Sequence, residues 1–204
     1  MREINLPITQ TVSITFNPGT FDLSKAVDMG DGRRQVPLGT VFDSQINAVM
    51  ETARRNGGKI LYATTSIEQS LESIMLEYFM GPFVGHEERR AMFEHEVLQS
   101  SALSYRTKKE LVTKIINSEG LLEGKQKSAV QKHLHTIMEW RNAFAHGKVQ
   151  HDTKTGCFVR YYSGGTKTLS LSDTYWDEVE KTFQECVNFL KEAKQQLMNK
   201  QQTG

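Results

Sequence analysis

Residues 125–147, KQKSAVQKHLHTIMEWRNAFAHG, decide the fold of this chain. Apolar side chains recur there at steps of three and four residues, which predicts an amphipathic α-helix from near Lys125 to His146. Gly147 follows and suits a left-handed residue that ends the helix. The predicted inward-facing stripe consists of six apolar residues and one arginine: Val130, Leu134, Ile137, Met138, Arg141, Phe144 and Ala145. Such a stripe needs other helices to cover it.

Upstream, the same spacing predicts two successive helices with a break between them. Apolar residues step by threes and fours from Phe42 to Ala53, and the following Asn56-Gly57-Gly58 is typical of a helix end. A second pattern runs from Ile60 to Tyr78 and should end at Gly81-Pro82. We therefore expect the first helix to stop at the glycine pair.

Two shorter helices are predicted next. Glu87–Ser100 is a weaker helical segment around Phe93 and Val97. The sequence Thr107-Lys108-Lys109-Glu110 reads as a capping box, in which a hydroxyl and a carboxylate exchange hydrogen bonds with free backbone amides. This predicts a helix start at Thr107.

After residue 147 the pattern changes to a β-hairpin and then a final helix. Cys157–Tyr162 and Thr166–Leu171 flank Ser163-Gly164-Gly165, which is a strong hairpin signal. Ser172 or Asp173 can cap the last helix, whose apolar residues from Trp176 to Leu197 recur at helical spacing. The sequence therefore predicts a mainly α fold: a helical bundle with a small β-hairpin before the last helix.

Residues 1–40 differ in pattern from the rest. Thr11–Phe16 alternates with period two and stops at Asn17-Pro18-Gly19, which predicts a short strand and turn. The glycine- and proline-containing stretch from Gly30 to Gly39 is typical of a loop. We expect an irregular, partly β N-terminal arm over residues 1–40 and one helical domain over residues 41–204.

Charge and cysteine usage limit the function classes. The 204 residues carry 25 basic and 24 acidic side chains, a formal net charge of +1. This excludes a protein that holds nucleic acid mainly through its overall field, although a compact basic site is allowed. Cys157 and Cys186 cannot form a disulfide framework. With no signal-peptide pattern and no bilayer-length apolar run, we expect a cytoplasmic protein without a membrane partner.

Arg141 is the residue that least fits an ordinary helix, because the predicted stripe places a guanidinium among apolar side chains. A buried charge needs a partner, which is either a carboxylate or an external phosphate. In the structural interpretation, Glu68 or Glu72 pairs with Arg141 and His146 merely caps the helix end. In the functional interpretation the guanidinium binds phosphate. Spacing alone leaves both open.

Other candidate sites in the sequence have weaker chemical support. His133 and His135 lie about 200° apart around a helix, so they cannot share a metal ion from one face, and we expect no metal site. Neither thiol has the surroundings of a nucleophile. Arg160-Tyr161-Tyr162 forms an aromatic and basic patch that can stack bases, although on a hairpin one tyrosine should point inward and one outward.

The segment Arg141–His146, RNAFAH, resembles the Arg-x4-His signature of the HEPN superfamily (higher eukaryotes and prokaryotes nucleotide-binding domain). The match covers six or seven residues, including Gly147, and the helical plan over residues 58–198 is compatible with that fold. Many members are small ribonucleases of toxin–antitoxin and phage-defence systems. The resemblance implies a metal-independent endoribonuclease that needs no cofactor.

The resemblance also implies roles for three side chains. His146 would transfer the protons of the attacking 2′-oxygen and the leaving 5′-oxygen, because imidazole titrates near neutral pH. Arg141 would stabilise the developing phosphorane charge with its planar fork of donors. Asn142 would orient the imidazole or the attacking group. RNA is the implied substrate, because DNA lacks the 2′-hydroxyl.

Two further expectations follow from the resemblance. Family members usually form homodimers whose two motif helices share one cleft, and an antitoxin or regulatory protein is a further implied partner. The alternative is a non-catalytic HEPN-like binding or regulatory module, similar to the mannitol-operon repressor family. The basic helix over residues 101–116 is also similar to such modules.

Overall fold

A computed structural model describes residues 27–28, 34–35, 44–81, 86–152 and 154–203. The predicted strand over residues 11–16, its turn at residues 17–19 and the glycines of the predicted loop lie outside these ranges. The chain divides into two compact units: Met1–Asn56 with Gly147–Ser172, and Gly57–His146 with Asp173–Gly204. The boundary expected at residue 40 stays a prediction.

The structure is mainly α-helical, as predicted. Its described helices are α1 (Ser44–Met80), α2 (Glu87–Met92, continued by a π-helical turn over Phe93–Leu98), α3 (Tyr105–Ser118), α4 (Gly124–His146) and α5 (Asp173–Thr203). No helix in the described ranges is long and apolar enough to span a bilayer. The larger core lies within the second unit, where the fully buried side chains include Ile67, Leu71, Ile74, Leu134, Ile137, Leu190 and Leu197.

The predicted bounds of α4 are confirmed, but its predicted stripe is wrong over the last two turns. The buried residues are Val130, Leu134, Ile137, Trp140 and Ala143. Met138 is only half-buried, whereas Arg141 and Ala145 are exposed. A 3.6-residue repeat allows either position 140 or position 141 to follow position 137 inward. The large indole of Trp140 takes the inward position, because it gains more from burial than a guanidinium does.

The predicted helix break at Asn56-Gly57-Gly58 is also wrong, because α1 continues through it. Gly57 is buried within the second unit, and a Cβ atom there would overlap the Phe144 ring, with Cε1 only 2.9 Å away. Glycine at this position therefore permits the close approach of Phe144 rather than ending a helix. The packing gained outweighs a helix penalty of about 1 kcal/mol for each glycine.

The start of α3 and the segment before it also depart from the predictions. The N-cap is Ser104, whose hydroxyl accepts a hydrogen bond from the Thr107 amide at 3.3 Å, so Thr107 already lies inside the helix. Upstream, Leu98 is buried and Val97 is exposed, since the π-helical turn shifts the apolar face by one residue. The predicted helical character of both segments is confirmed.

The first unit contains the described β-structure. The predicted hairpin is confirmed as β4 (Gly156–Tyr162) and β5 (Thr166–Ser170), and a third antiparallel strand, β3 (Lys148–Asp152), pairs with β4. This strand begins directly after Gly147, which does not adopt the predicted left-handed conformation. Two short strands, β1 (Val27–Asp28) and β2 (Arg34–Gln35), pair antiparallel inside the predicted N-terminal arm.

The two glycines of α1 provide a matched pair for testing the Phe144 contact. Gly57→Ala should lower the free energy of unfolding by about 1–3 kcal/mol, because the new methyl group displaces Phe144. Gly58→Ala meets no atom within 4 Å, so it should raise the free energy of unfolding by about 0.5–1 kcal/mol through helix propensity alone. Urea denaturation of both variants measures these changes. Equal effects would contradict the close approach of Phe144.

Candidate functional site at the end of α4

Aromatic packing holds the last two turns of α4 against α5. The Trp140 ring contacts Tyr175 edge-on at a centroid distance of 5.7 Å and lies roughly parallel to Phe183 at 6.3 Å. Phe144 lies 6.2 Å from Trp176. Aromatic pairs at these separations add to the gain from area burial. These contacts define which face of the helix end points outward.

The three predicted site residues lie on that outward face. Arg141 and His146 are exposed and Asn142 is half-buried. By helix geometry, Arg141 and His146 are separated by about 140° around the axis and about 7.5 Å along it. Asn142 and His146 are one turn apart and therefore adjacent. The small Ala145 side chain lies between Arg141 and His146 around the axis and leaves the surface there open to a bulky ligand.

Arg141 does not form the ion pair that the structural interpretation of the sequence predicts. Its Nη1 donates to Asn142 Oδ1 at 3.1 Å. Among the described residues, no carboxylate forms an ion pair with this guanidinium. The expectation of a buried pair with Glu68 or Glu72 is therefore wrong, and most of the guanidinium's donors face solvent.

Glu68 and Glu72 instead bind a different cation. Lys108 Nζ donates to Glu68 Oε1 and to Glu72 Oε1, each at 2.6 Å, and its side chain is only 4% exposed. Burial of the ammonium acts to lower its pKa, but the hydrogen bonds and charges of the two carboxylates outweigh this effect. The net pKa of Lys108 is raised. Glu68 and Glu72 therefore share Lys108 as their counter-ion, and neither pairs with Arg141.

The electrostatics of the helix end favour cations. The last carbonyl groups of a helix carry a partial negative charge, which attracts cations and repels anions. A phosphate can bind there only where positive side chains outweigh this charge. The exposed Arg141 supplies a permanent cation, and His146 is the last residue of α4. The guanidinium can bind a phosphate, and the imidazole can exchange a proton with an oxygen. Because about 140° separates the two side chains around the axis, one helix does not direct both at the same atom.

The histidines elsewhere on α4 have structural surroundings. His133 stacks on Phe189 at 6.1 Å and places its Nε2 atom 3.0 Å from Glu185 Oε2. His135 is exposed, with Nε2 3.9 Å from Glu139 Oε1. Within the part of the chain that the structure describes, no group of three metal-binding side chains comes together.

Neither cysteine has the environment of a nucleophile. Burial raises the pKa of the Cys186 thiol to about 12. Burial also raises the pKa of Cys157, although the charge of Arg54 opposes this effect. Both thiols are free and buried. Since a thiolate is the reactive form, neither residue is suited to covalent catalysis near neutral pH.

The sequence predicted the polar residues of the candidate site but did not predict the contacts that position them. The role of Trp140 was signalled by its size and its place three residues after Ile137. The contact between Gly57 and Phe144 joins residues distant in sequence, so no local pattern signals it. No family model, curated protein or solved structure matches this chain. The HEPN resemblance therefore stays a prediction.

Removing Lys108 tests whether Glu68 and Glu72 depend on it. Lys108→Met should lower the free energy of unfolding by roughly 2–4 kcal/mol, because two partly buried carboxylates lose their counter-ion. A folded-state pKa above the ordinary 10.5 means that the stabilisation by Lys108 is complete below that pH and is lost only as the pH rises through the raised value. Chemical denaturation at neutral pH measures the loss.

The neighbouring lysine supplies the control for this measurement. Lys109→Met should change the free energy of unfolding by no more than about 0.5 kcal/mol. Adding Glu68→Gln and Glu72→Gln to Lys108→Met should recover part of the lost stability. Equal effects of the Lys108 and Lys109 substitutions would contradict this account of the cluster.

Proposed function

We propose that this protein is a metal-independent endoribonuclease of HEPN type that acts in the cytoplasm as a toxin or phage-defence effector. The observation that carries the proposal is the exposed pair Arg141 and His146 at the end of a helix fixed by aromatic packing. The guanidinium has no carboxylate partner among the described residues. A cation left available in this way is suited to binding an external phosphate.

The proposed reaction uses the RNA as its own nucleophile. The 2′-hydroxyl transfers its proton to His146 as the 2′-oxygen forms a bond to the adjacent phosphorus. Arg141 binds the non-bridging oxygens, on which negative charge accumulates. The bond to the 5′-oxygen then breaks, and that oxygen takes up a proton. The products are a 2′,3′-cyclic phosphate and a free 5′-hydroxyl, so atoms and charge balance without water or metal.

Asn142 is proposed as a positioning residue. Its Oδ1 atom accepts the hydrogen bond from Arg141, and it lies one turn before His146. This bond limits the rotamers of a side chain that otherwise loses considerable entropy when it binds phosphate. Asn142 therefore directs the guanidinium toward the phosphate rather than contacting the reacting atoms.

A homodimer completes the proposed site. One imidazole cannot accept the 2′-proton and donate the 5′-proton in the same step, whereas two copies supply both groups. Two facing helix ends also concentrate positive charge in a chain whose formal net charge is only +1. An antitoxin or regulatory protein that covers this face is the proposed means of restraint.

The catalytic roles are tested with purified protein and single-stranded RNA in the presence of EDTA. Wild-type protein should produce 2′,3′-cyclic phosphate ends. His146→Ala should reduce the rate by about 10²–10⁴-fold and Arg141→Ala by about 10²–10³-fold. His135→Ala on the same helix and Arg106→Ala on α3 are matched exposed controls and should retain the wild-type rate.

The outcomes separate the two functional candidates. Loss of cleavage in EDTA, or cleavage that survives both Arg141→Ala and His146→Ala, would contradict the proposed mechanism. Tight RNA binding by the wild type without any cleavage favours the non-catalytic binding module instead.

The oligomeric state provides an independent test. Light scattering at micromolar concentration should give the mass of a dimer, because the two-copy site requires one. Mixing wild-type protein with excess His146→Ala protein should lower the rate per wild-type subunit, because each mixed dimer keeps only one of the two imidazoles that the reaction uses. A monomer with full activity would contradict the shared site.

A further inference from the structure

The sheet formed by β3, β4 and β5 has two chemically different faces. Side chains alternate along a strand, and directly paired residues point to the same side. One face carries the buried Cys157 and Val159. The opposite face, here called the outer face, consists of Lys148, Gln150, Asp152, Phe158, Arg160, Tyr162, Thr166, Thr168 and Ser170.

The outer face combines an exposed aromatic ring with a supported cation. Tyr162 is 78% exposed. The Arg160 guanidinium lies over the Phe158 ring, with its central carbon 5.8 Å from the ring centroid. A depression of about 340 Å³ on this face is lined by Asp152, Thr155, Phe158, Arg160, Thr168 and Ser170. The face therefore offers a ring for stacking, a planar cation and hydroxyl groups side by side.

The segment that contains this sheet has a higher net charge than the whole chain. Residues 147–172 contain four lysines and arginines and one aspartate, which gives +4 − 1 = +3, whereas the whole chain is +1. Lys148 is paired directly across from Arg160, so two cations lie next to each other on the outer face. No carboxylate of the described residues forms an ion pair with either.

The aspartate on the outer face, Asp152, lines the same depression as Arg160, but its carboxylate is bound by backbone amides and forms no ion pair with the guanidinium. Asp152 Oδ1 accepts hydrogen bonds from the amides of Lys154 and Thr155 at 2.8 and 3.0 Å. These bonds hold its pKa below the ordinary value, and they direct the carboxylate into the β3–β4 turn. Asp152 also lies at the end of the sheet away from the Lys148–Arg160 pair.

The composition of the outer face matches a nucleic acid strand better than a protein. A protein-binding core requires contiguous apolar side chains, whereas here cations and hydroxyl groups surround one exposed ring. A base can stack on Tyr162 only when one of its own faces is free. In a duplex both faces are stacked on neighbouring bases, so this contact selects a single strand. Adjacent cations match the repeating phosphates of such a strand.

We propose that the outer face binds single-stranded RNA. A base stacks on Tyr162, Arg160 and Lys148 bind successive phosphates, and the hydroxyl groups of Thr166 and Thr168 bind base edges or ribose. The choice of RNA over DNA rests on the proposed function, whereas the binding surface rests on the sheet itself. The surface uses neither Arg141 nor His146.

Fluorescence anisotropy with a short, labelled, mixed-sequence RNA strand tests this proposal. All proteins carry His146→Ala so that the RNA is not cleaved. Adding Tyr162→Ala should weaken binding by about tenfold through lost stacking. Adding Arg160→Gln should also weaken binding about tenfold at low salt, and it should reduce the slope of log affinity against log salt by about one. Thermal unfolding confirms that each variant is folded.

Two substitutions serve as matched controls. Tyr62→Ala removes a tyrosine on α1 that is also 78% exposed. Lys167→Gln removes an exposed charge from the opposite face of β5. Neither should change the affinity for RNA, since neither residue lies on the outer face.

The results separate this proposal from the proposed function. The proposed binding by the outer face would be contradicted by any of three results: unchanged affinity in Tyr162→Ala and Arg160→Gln, an equal loss of affinity in the controls, or no RNA binding at all. Preference for duplex RNA or for DNA of the same sequence would overturn the single-stranded RNA assignment. If the sheet variants lose binding while protein with His146 intact cleaves no RNA, the binding surface stands and the nuclease proposal fails.

Discussion

The packing of Trp140 against α5 is the constraint on which the candidate site depends. Because successive helical residues are 100° apart, turning Trp140 inward rather than Arg141 rotates the outward face of α4 by that angle. The ring contacts with Tyr175 and Phe183 select this rotation. Exposure of Arg141 and His146 is therefore a consequence of where an apolar ring gains most from burial.

The cost of burying a group also explains why Lys108 and Arg141, both in the second unit, have different surroundings. Lys108 is buried and satisfies Glu68 and Glu72, as the cost of desolvating an unpaired charge requires. Arg141 is solvated and bears no such requirement. A solvated guanidinium can exchange water for another partner at little cost, whereas removing Lys108 from its carboxylates leaves partly buried charges unpaired.

Local concentration of charge makes the proposed binding of RNA compatible with a nearly neutral chain. Although the formal net charge of the chain is +1, residues 147–172 carry a net charge of +3, and α4 presents the solvent-exposed guanidinium of Arg141. In the proposed division of roles, α4 supplies proton transfer and charge stabilisation, whereas the sheet supplies stacking and phosphate binding. An overall basic composition is not required for either role.

The sequence by itself determined the elements with strong local signals: the helix ending at His146 and the hairpin around Ser163-Gly164-Gly165. Its choice of polar residues for the candidate site stays a prediction. Tertiary structure alone decided that α1 runs through Gly57 and that Trp140 rather than Arg141 turns inward. The reason is one of magnitude. Local preferences amount to about 1 kcal/mol or less per residue, and contacts between residues distant in sequence, which no local pattern records, outweigh them.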